Sequence, residues 1–230
     1  FKLDRGETMG LVGESGCGKT TAAFATMRLL PKNGFITHGK IRFDGKLVAD
    51  EDEERFYAMS VKEQRKKKVV EEKAMRKHRW RDISMIFQSA MNAFNPVYKV
   101  GKQIEEVLLI HEDMSRKEAK KRVEELFNLV GMDPSRAEGF PHEFSGGMKQ
   151  RAMIAMALAL NPSFLIADEP TTALDVIMQD RILAEIKRLQ RQMNIAMMII
   201  THDISVVAEV SEKIGIMYAG NMFEMGDIEK

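Results

Sequence analysis

The sequence predicts an α/β fold with a mostly parallel sheet and a helical insert. Three observations carry that prediction. A strand, a glycine-rich loop and a helix follow one another between Thr8 and Leu30. Later runs at residues 83–87, 163–167 and 195–200 are short and almost continuously apolar, as strands covered on both faces of a parallel sheet must be. Between the first two of these runs, residues 90–145 lose the strand pattern and become helical.

The elements follow in order. The opening Phe1-Lys2-Leu3-Asp4-Arg5 reads as a strand already under way and not as a signal peptide, so the sequence is expected to start inside a domain. Residues 8–12 read as a strand. Residues 19–30 read as a helix with Ala22, Ala23, Phe24, Met27, Leu29 and Leu30 on its apolar surface, stopped by Pro31, Asn33 and Gly34. Residues 40–45 are a strand ending in a turn at Asp44-Gly45. Residues 50–82 are charged, acidic at 50–54 and basic at 65–68 and 76–81, with few apolar side chains. They read as a solvated helical excursion, removable over 50–80 without unfolding the core; a patch for phosphate or lipid headgroups is the lesser reading.

Asn92, Asn95, Pro96 and Gly101 break the chain, and helices are expected at 103–111 and 116–130. Ser115 and Glu118 have capping-box spacing, Val123, Leu126, Phe127 and Val130 form one stripe, and Gly131 and Pro134 end the second helix. Residues 147–160 are helical and apolar almost all round in their second half, so buried; Asn161-Pro162 ends them. Residues 177–193 are an amphipathic helix with Ile182, Ile186, Leu189 and Met193 on one side. Residues 214–225 read as two edge strands around Ala219-Gly220-Asn221.

Composition sets bounds. A chain of 230 residues can bury a real core, as one domain or as a core with a sub-lobe. With 35 basic and 34 acidic side chains the net charge is +1, which argues neither for nor against nucleic acid. The one cysteine, Cys17, excludes an internal disulfide and fits a reducing compartment. It lies in the glycine loop, where thiol modification is expected to block ligand. No apolar run reaches the roughly 18 residues of a membrane span; the longest is 153–160. The 18 methionines read as pliable core filler.

The chemistry starts at Gly13-Glu14-Ser15-Gly16-Cys17-Gly18-Lys19-Thr20, which fits G-x-x-x-x-G-K-[ST] at every fixed position. Glycines let backbone amides approach phosphates, and the helix N-terminus adds donors and partial positive charge. Lys19 can reach the β- and γ-phosphates of a nucleotide, and Thr20 can offer its hydroxyl to Mg²⁺. Phe164-Leu165-Ile166-Ala167-Asp168-Glu169 puts two carboxylates at the tip of a buried strand, where α/β sheets collect ligands. Asp168 is placed to hold Mg²⁺ and Glu169 to polarise an attacking water. Gln88, after another strand, can contact Mg²⁺ or that water. His202 can donate to the γ-phosphate, and its neighbour Asp203 reads as a helix cap. Ser145-Gly146-Gly147-Met148-Lys149-Gln150 has no obvious task within its own subunit.

With these residues assembled, the chain resembles the ATP-binding cassette (ABC) ATPases over essentially its whole length. Gly13 to Thr20 resembles Walker A, Gln88 the glutamine loop and Ser145 to Gln150 the signature. Phe164 to Glu169 resembles Walker B, Ala173-Leu174-Asp175 the D-loop and His202 the switch histidine. The resemblance implies a P-loop NTPase core, with an antiparallel β subdomain on the N-terminal side. It implies one domain over 1–230, in which 1–88 and 146–230 form core and β subdomain and about 89–145 a helical subdomain. It implies ATP bound by Gly13, Glu14, Ser15, Gly16, Cys17, Gly18, Lys19, Thr20 and Thr21, together with Ser145, Gly146, Gly147 and Asp175. Mg²⁺ would be held by Thr20, Gln88 and Asp168, with Glu169, His202, Lys19 and Gln88 catalytic. It further implies a head-to-tail dimer with an identical or paralogous subunit, in which each signature serves the other subunit's nucleotide. Permease subunits would dock on the helical insert at the cytoplasmic face of a membrane; no nucleic acid is expected.

A narrower resemblance is to the ATPases of oligopeptide, dipeptide and nickel importers. It rests on Phe87-Gln88-Ser89-Ala90-Met91-Asn92-Ala93-Phe94-Asn95-Pro96-Val97, Gly146 to Arg151 and Asp168 to Asp175; import over export rests on it alone. The charged stretch before Gln88 is longer than that pattern, the adenine-stacking aromatic would precede Phe1, and the C-terminal extension of that group would follow Lys230. A soluble ABC ATPase acting on DNA or ribosomes is the alternative. A non-catalytic nucleotide-binding module is opposed by intact Lys19, Asp168, Glu169 and His202.

Overall fold

The computed structural model describes residues 1–43, 45–88, 93–172 and 174–228. Asp44 of the expected turn, Asn92 of the expected break, Ser89, Ala90 and Met91 of the importer-like string and Ala173 of the D-loop lie outside them.

The chain forms strands β1 (Thr8–Gly13), β2 (Gly39–Phe43), β3 (Lys46–Glu51), β4 (Ile83–Ile86), β5 (Phe164–Asp168), β6 (Ala196–Thr201), β7 (Lys213–Tyr218) and β8 (Asn221–Asp227). The main sheet has the order β4-β5-β6-β1-β7-β8, parallel except for β8, while β2 and β3 pair antiparallel in a sheet of their own. Alternate side chains of the apolar strands feed two cores. Leu165, Ala167, Met197 and Ile199 point to one face, and Phe164, Ile166, Met198 and Ile200 to the other. That two-sided burial is why these strands read as unbroken apolar runs.

One core face carries α4 (Val100–His111), α5 (Arg116–Leu129), α6 (Gly146–Ala157), α7 (Val176–Met193) and α8 (Ile204–Val210). Both members of the Ser115/Glu118 capping box are formed on α5. The opposite face carries α1 (Lys19–Thr26) and the end of α3 (Val61–Met75), which follows the short α2 (Glu53–Tyr57).

The register levels the strand ends. Ile86 lies beside Ala167, Asp168 beside Ile200 and Thr201 beside Val12. The residues that follow β4, β5, β6 and β1 therefore emerge along one edge of the sheet.

Several expectations are corrected. The first helix stops at Thr26, not Leu30, because Arg28 takes a left-handed backbone (φ 55°). Arg28 and Leu29 then donate to Ala25 and Phe24 at 3.0 and 2.8 Å, closing a Schellman turn. An arginine stands there because its side chain pairs with Glu51 and Glu71. Gly101 lies in the first turn of α4 and does not break the chain; a Cβ there would sit 2.6 Å from the Ala137 carbonyl. β7 is not an edge strand, since it pairs with both β1 and β8. The short helix α8 had no separate signal, because seven residues carry barely two turns of period.

The charged stretch is helical, yet it is anchored as well as solvated. Glu51 is buried between Arg28 and Lys67. Burial pushes the Glu51 carboxyl up, and Lys67 and Arg28 outweigh it, so its pKa lies below the usual glutamate value. Met75, 2% exposed, belongs to the second core, and Arg79 donates to the Met27 and Arg28 carbonyls. Removing 50–80 entire would take away the Glu51, Met75 and Arg79 contacts, so a lower thermal midpoint is expected of that deletion.

Packing around the site is tight. A Cβ on Gly10 would stand 2.1 Å from Val207 Cγ1. Gly10→Ala is therefore expected to cost roughly 1–3 kcal/mol through overpacking, read as a lower denaturant midpoint, with Val207→Ala restoring part of the loss.

Candidate functional site

Four neighbouring strands present the site. The glycine loop follows β1, His202 follows β6, Asp168 ends β5 with Glu169 next, and Gln88 follows β4. Gly18 is the N-cap of α1 with φ 105°, a backbone that favours glycine. The first-turn amides of α1, including those of Thr20 and the exposed Thr21, have no partner within the helix. They form a seat for an anion.

Lys19 is 6% exposed. Its ammonium donates to the carbonyls of Gly13 at 2.7 Å and Glu14 at 2.9 Å, and lies 3.8 Å from Cys17 Sγ. Two of its three donors thus fix the lysine inside the loop. Cys17 is buried, so a thiol reagent reaches it only when the loop moves.

Asp168 is 1% exposed, and its Oδ1 has no hydrogen-bond partner among the described residues. Burial raises the pKa of this carboxyl, with the Thr20 hydroxyl and Lys19 drawing it back. An unpartnered buried carboxylate oxygen beside a threonine hydroxyl is a hard-oxygen donor set, and it fits a small divalent cation such as Mg²⁺.

Glu169 turns out of line with its strand. Its φ is 44°, and its amide donates to the Ile200 carbonyl at 2.8 Å. Its carboxylate collects three side chains: Gln88 Nε2 at 2.6 Å and Thr172 Oγ1 at 2.9 Å on Oε2, and His202 Nδ1 at 3.3 Å on Oε1. Burial pushes the Glu169 carboxyl up, but Thr172, His202 and Gln88 outweigh it and hold its pKa below the ordinary glutamate value. The His202 side chain is 70% exposed. The Gln88 amide is thus engaged with Glu169, where the sequence pointed it at Mg²⁺ or water. Thr172 was missed. A threonine three residues after a glutamate is a common turn, and only the folded turn shows its hydroxyl on the carboxylate.

The remaining predicted residues lie elsewhere. Ser145 caps α6, accepting from the Met148 amide at 3.3 Å, with Gly146 and Gly147 in the first turn. A Cβ on Gly147 would meet Met178 Sδ at 2.9 Å. Asp175 caps α7, accepting from the Met178 amide at 2.9 Å. Among the described residues, no hydrogen bond joins Ser145, Gly146, Gly147 or Asp175 to the glycine loop of the same chain. Asp203 caps α8 through the Ser205 amide at 2.8 Å.

Among the described residues, no helix is long and apolar enough to cross a membrane. The family model described as ABC transporter matches residues 1–172. The chain is 47% identical to the oligopeptide transport ATP-binding protein OppD of Bacillus subtilis (strain 168), over 100% of this chain and 60% of that protein. It is 45% identical to the dipeptide transport ATP-binding protein DppD of the same organism, over 98% and 63%. It is 44% identical to OppD of Escherichia coli (strain K12), over 99% and 62%. The chain therefore spans about three-fifths of these relatives' length. Among solved structures it is similar to the ATP-binding cassette MJ0796, in a dimeric post-hydrolysis state bound to ADP and Pi. The TM-score is 0.76 with 25% identity, over 100% of this chain and 89% of that one. It is also similar to CbiO1 from Clostridium perfringens, part of the ABC transporter complex CbiONQ, with a TM-score of 0.75 and 25% identity over 99% and 79%. A family match along residues 1–172, joined to relatives nearly half identical along the whole chain, establishes that this protein belongs to the ABC transporter family as an ATP-binding cassette.

Proposed function

We propose that this chain hydrolyses ATP as the motor subunit of a peptide importer, held at the cytoplasmic face of a membrane by permease partners. The observation that carries the reading is the convergence of Gln88, Thr172 and His202 on Glu169, one residue beyond the buried Asp168 and along the same sheet edge as the glycine loop. Residues Gly13 to Thr21 cradle the phosphates, with Lys19 opposite the β- and γ-phosphates. Thr20 and Asp168 would hold Mg²⁺, with Gln88 a further candidate ligand, and the ion would supply positive charge to the phosphate oxygens. Glu169, kept ionised by its donors, accepts a proton from the attacking water. His202 steadies the γ-phosphate side of the site.

Among the described residues, Ser145, Gly146, Gly147 and Asp175 make no hydrogen bond with their own glycine loop. That supports a head-to-tail dimer in which they serve the partner's nucleotide. Residues 1–88 and 146–230 then act as core and β subdomain, and about 89–145 as the helical subdomain. Exposed Val97, Tyr98 and Ile110 in that segment favour permease docking there. Peptide is the favoured cargo class because relatives named for oligopeptide and dipeptide transport align along nearly the whole chain. No nucleic-acid partner is invoked.

The test uses the full-length protein with its permeases in vesicles. Added peptide is expected to raise ATP hydrolysis several-fold, and Ser145→Arg to lower it by roughly 10²-fold or more, as loss of a transition-state donor does. ADP affinity of the isolated Ser145→Arg chain should stay unchanged, because the serine acts on the partner's nucleotide. Weakened ADP binding would put Ser145 in its own site and overturn the dimer reading. Stimulation by DNA or ribosomes in place of peptide would overturn the transport reading.

A further inference from the structure

We propose that Thr172 is a positioning residue for Glu169, fixing Oε1 as the carboxylate oxygen that takes the proton of water. The inference rests on the ATP-hydrolysis reading above and adds to it a residue and an oxygen.

The geometry begins with the backbone. Glu169 sits in a left-handed conformation that a non-glycine residue holds only where its surroundings enforce it. Two contacts do so: the Glu169 amide donates to Ile200 on β6, and the Thr172 amide donates back to the Glu169 carbonyl at 3.2 Å, closing a turn through Pro170. The Thr172 hydroxyl then donates to Oε2 at 2.9 Å. Thr172 therefore grips Glu169 twice, once by its backbone and once by its side chain.

The two carboxylate oxygens are unequal. Oε2 accepts from both Thr172 and Gln88, whereas among the described residues Oε1 has only the longer His202 contact. An oxygen holding two short donors has its lone pairs engaged, and the other keeps one free. Gln88 and His202 reach Glu169 from the ends of β4 and β6, so their hold depends on those strands and the segments that follow them. Thr172 belongs to the same turn as Glu169, and its hold travels with the carboxylate. In the step this serves, the water oxygen bonds to the γ-phosphorus and its proton passes to Oε1. The bond from that phosphorus to the bridging oxygen breaks, and ADP leaves with the electron pair.

A hydroxyl that merely tightens a turn is the competing account, and the choice of variants separates the two. Thr172→Val keeps the shape and removes the donor; Thr172→Ser keeps the donor. In the full-length protein with ATP and Mg²⁺, Thr172→Val is expected to lower kcat roughly 10- to 100-fold, as a misplaced catalytic group does, with KM for ATP and the ADP Kd within about threefold. Thr172→Ser should restore kcat to within about threefold of the parent. Thermal midpoints without nucleotide should stay together for all three proteins. ATP-dependent dimers should accumulate in Thr172→Val on size-exclusion chromatography.

Equal loss in the valine and serine variants would overturn the positioning role, as would an unchanged kcat in Thr172→Val. Glu169→Gln, run in parallel, separates the two levels. If it loses turnover while Thr172→Val does not, only the Thr172 assignment fails. If it turns over normally, the reading beneath fails.

Discussion

Glu169→Gln is expected to reduce ATP turnover by roughly 10²- to 10⁴-fold, the contribution of a well-placed general base, while nucleotide still binds. The substitution is nearly isosteric. The backbone bonds of Glu169 to Ile200 and Thr172 do not involve the side chain, so the strained turn persists. The glutamine carbonyl oxygen can still accept from Thr172 and Gln88, and what disappears is the oxygen able to take a proton. ATP should therefore remain between closed subunits. Light scattering is expected to show an ATP-dependent dimer, and single-turnover phosphate release should be slow. Turnover within about tenfold of the parent would remove Glu169 as the base.

Lys19→Ala is the second large effect. It is expected to weaken ATP binding by roughly 10²-fold, about 2.8 kcal/mol at 1.4 kcal/mol per decade, and to reduce turnover to background. Two causes act together. The loop loses the cation facing the β- and γ-phosphates. It also loses the donor that bridges the Gly13 and Glu14 carbonyls, leaving Glu14 with the Cys17 amide at 3.2 Å and a gap where the buried ammonium stood. Lys19→Arg separates them by retaining charge while changing shape, and its intermediate affinity by calorimetry would show the charge at work. ATPase activity surviving in pure Lys19→Ala would count against the loop assignment.

How much of this was legible in advance differs by element. β4, β5 and β6 were readable as strands because burial on both faces leaves mostly apolar residues in them. The capping box of α5 was readable because its two partners lie three residues apart. The end of α1 was not, since Arg28 takes its left-handed turn while pairing with Glu51 and Glu71 from a distant segment. Gly101 looked like a breaker because its role is contact with Ala137, which no local pattern records. The interior position of β7 was hidden for the same reason, since pairing partners are not written into a strand's own residues.

The site divides along the same line. Lys19, Thr20, Asp168, Glu169 and His202 could be named from the linear order alone. Phosphate loops and strand-tip acids are local arrangements whose spacing carries their chemistry. The tertiary structure alone decided that Gln88, Thr172 and His202 meet on one carboxylate, and that Oε1 is left the freer oxygen. It alone set Ser145 and Asp175 as the N-caps of α6 and α7. The physical reason is register. The parallel pairing of β4, β5, β6 and β1 brings together strand ends far apart in the chain, and hydrogen-bond geometry at that edge depends on ångström-scale alignment, which residue order does not encode.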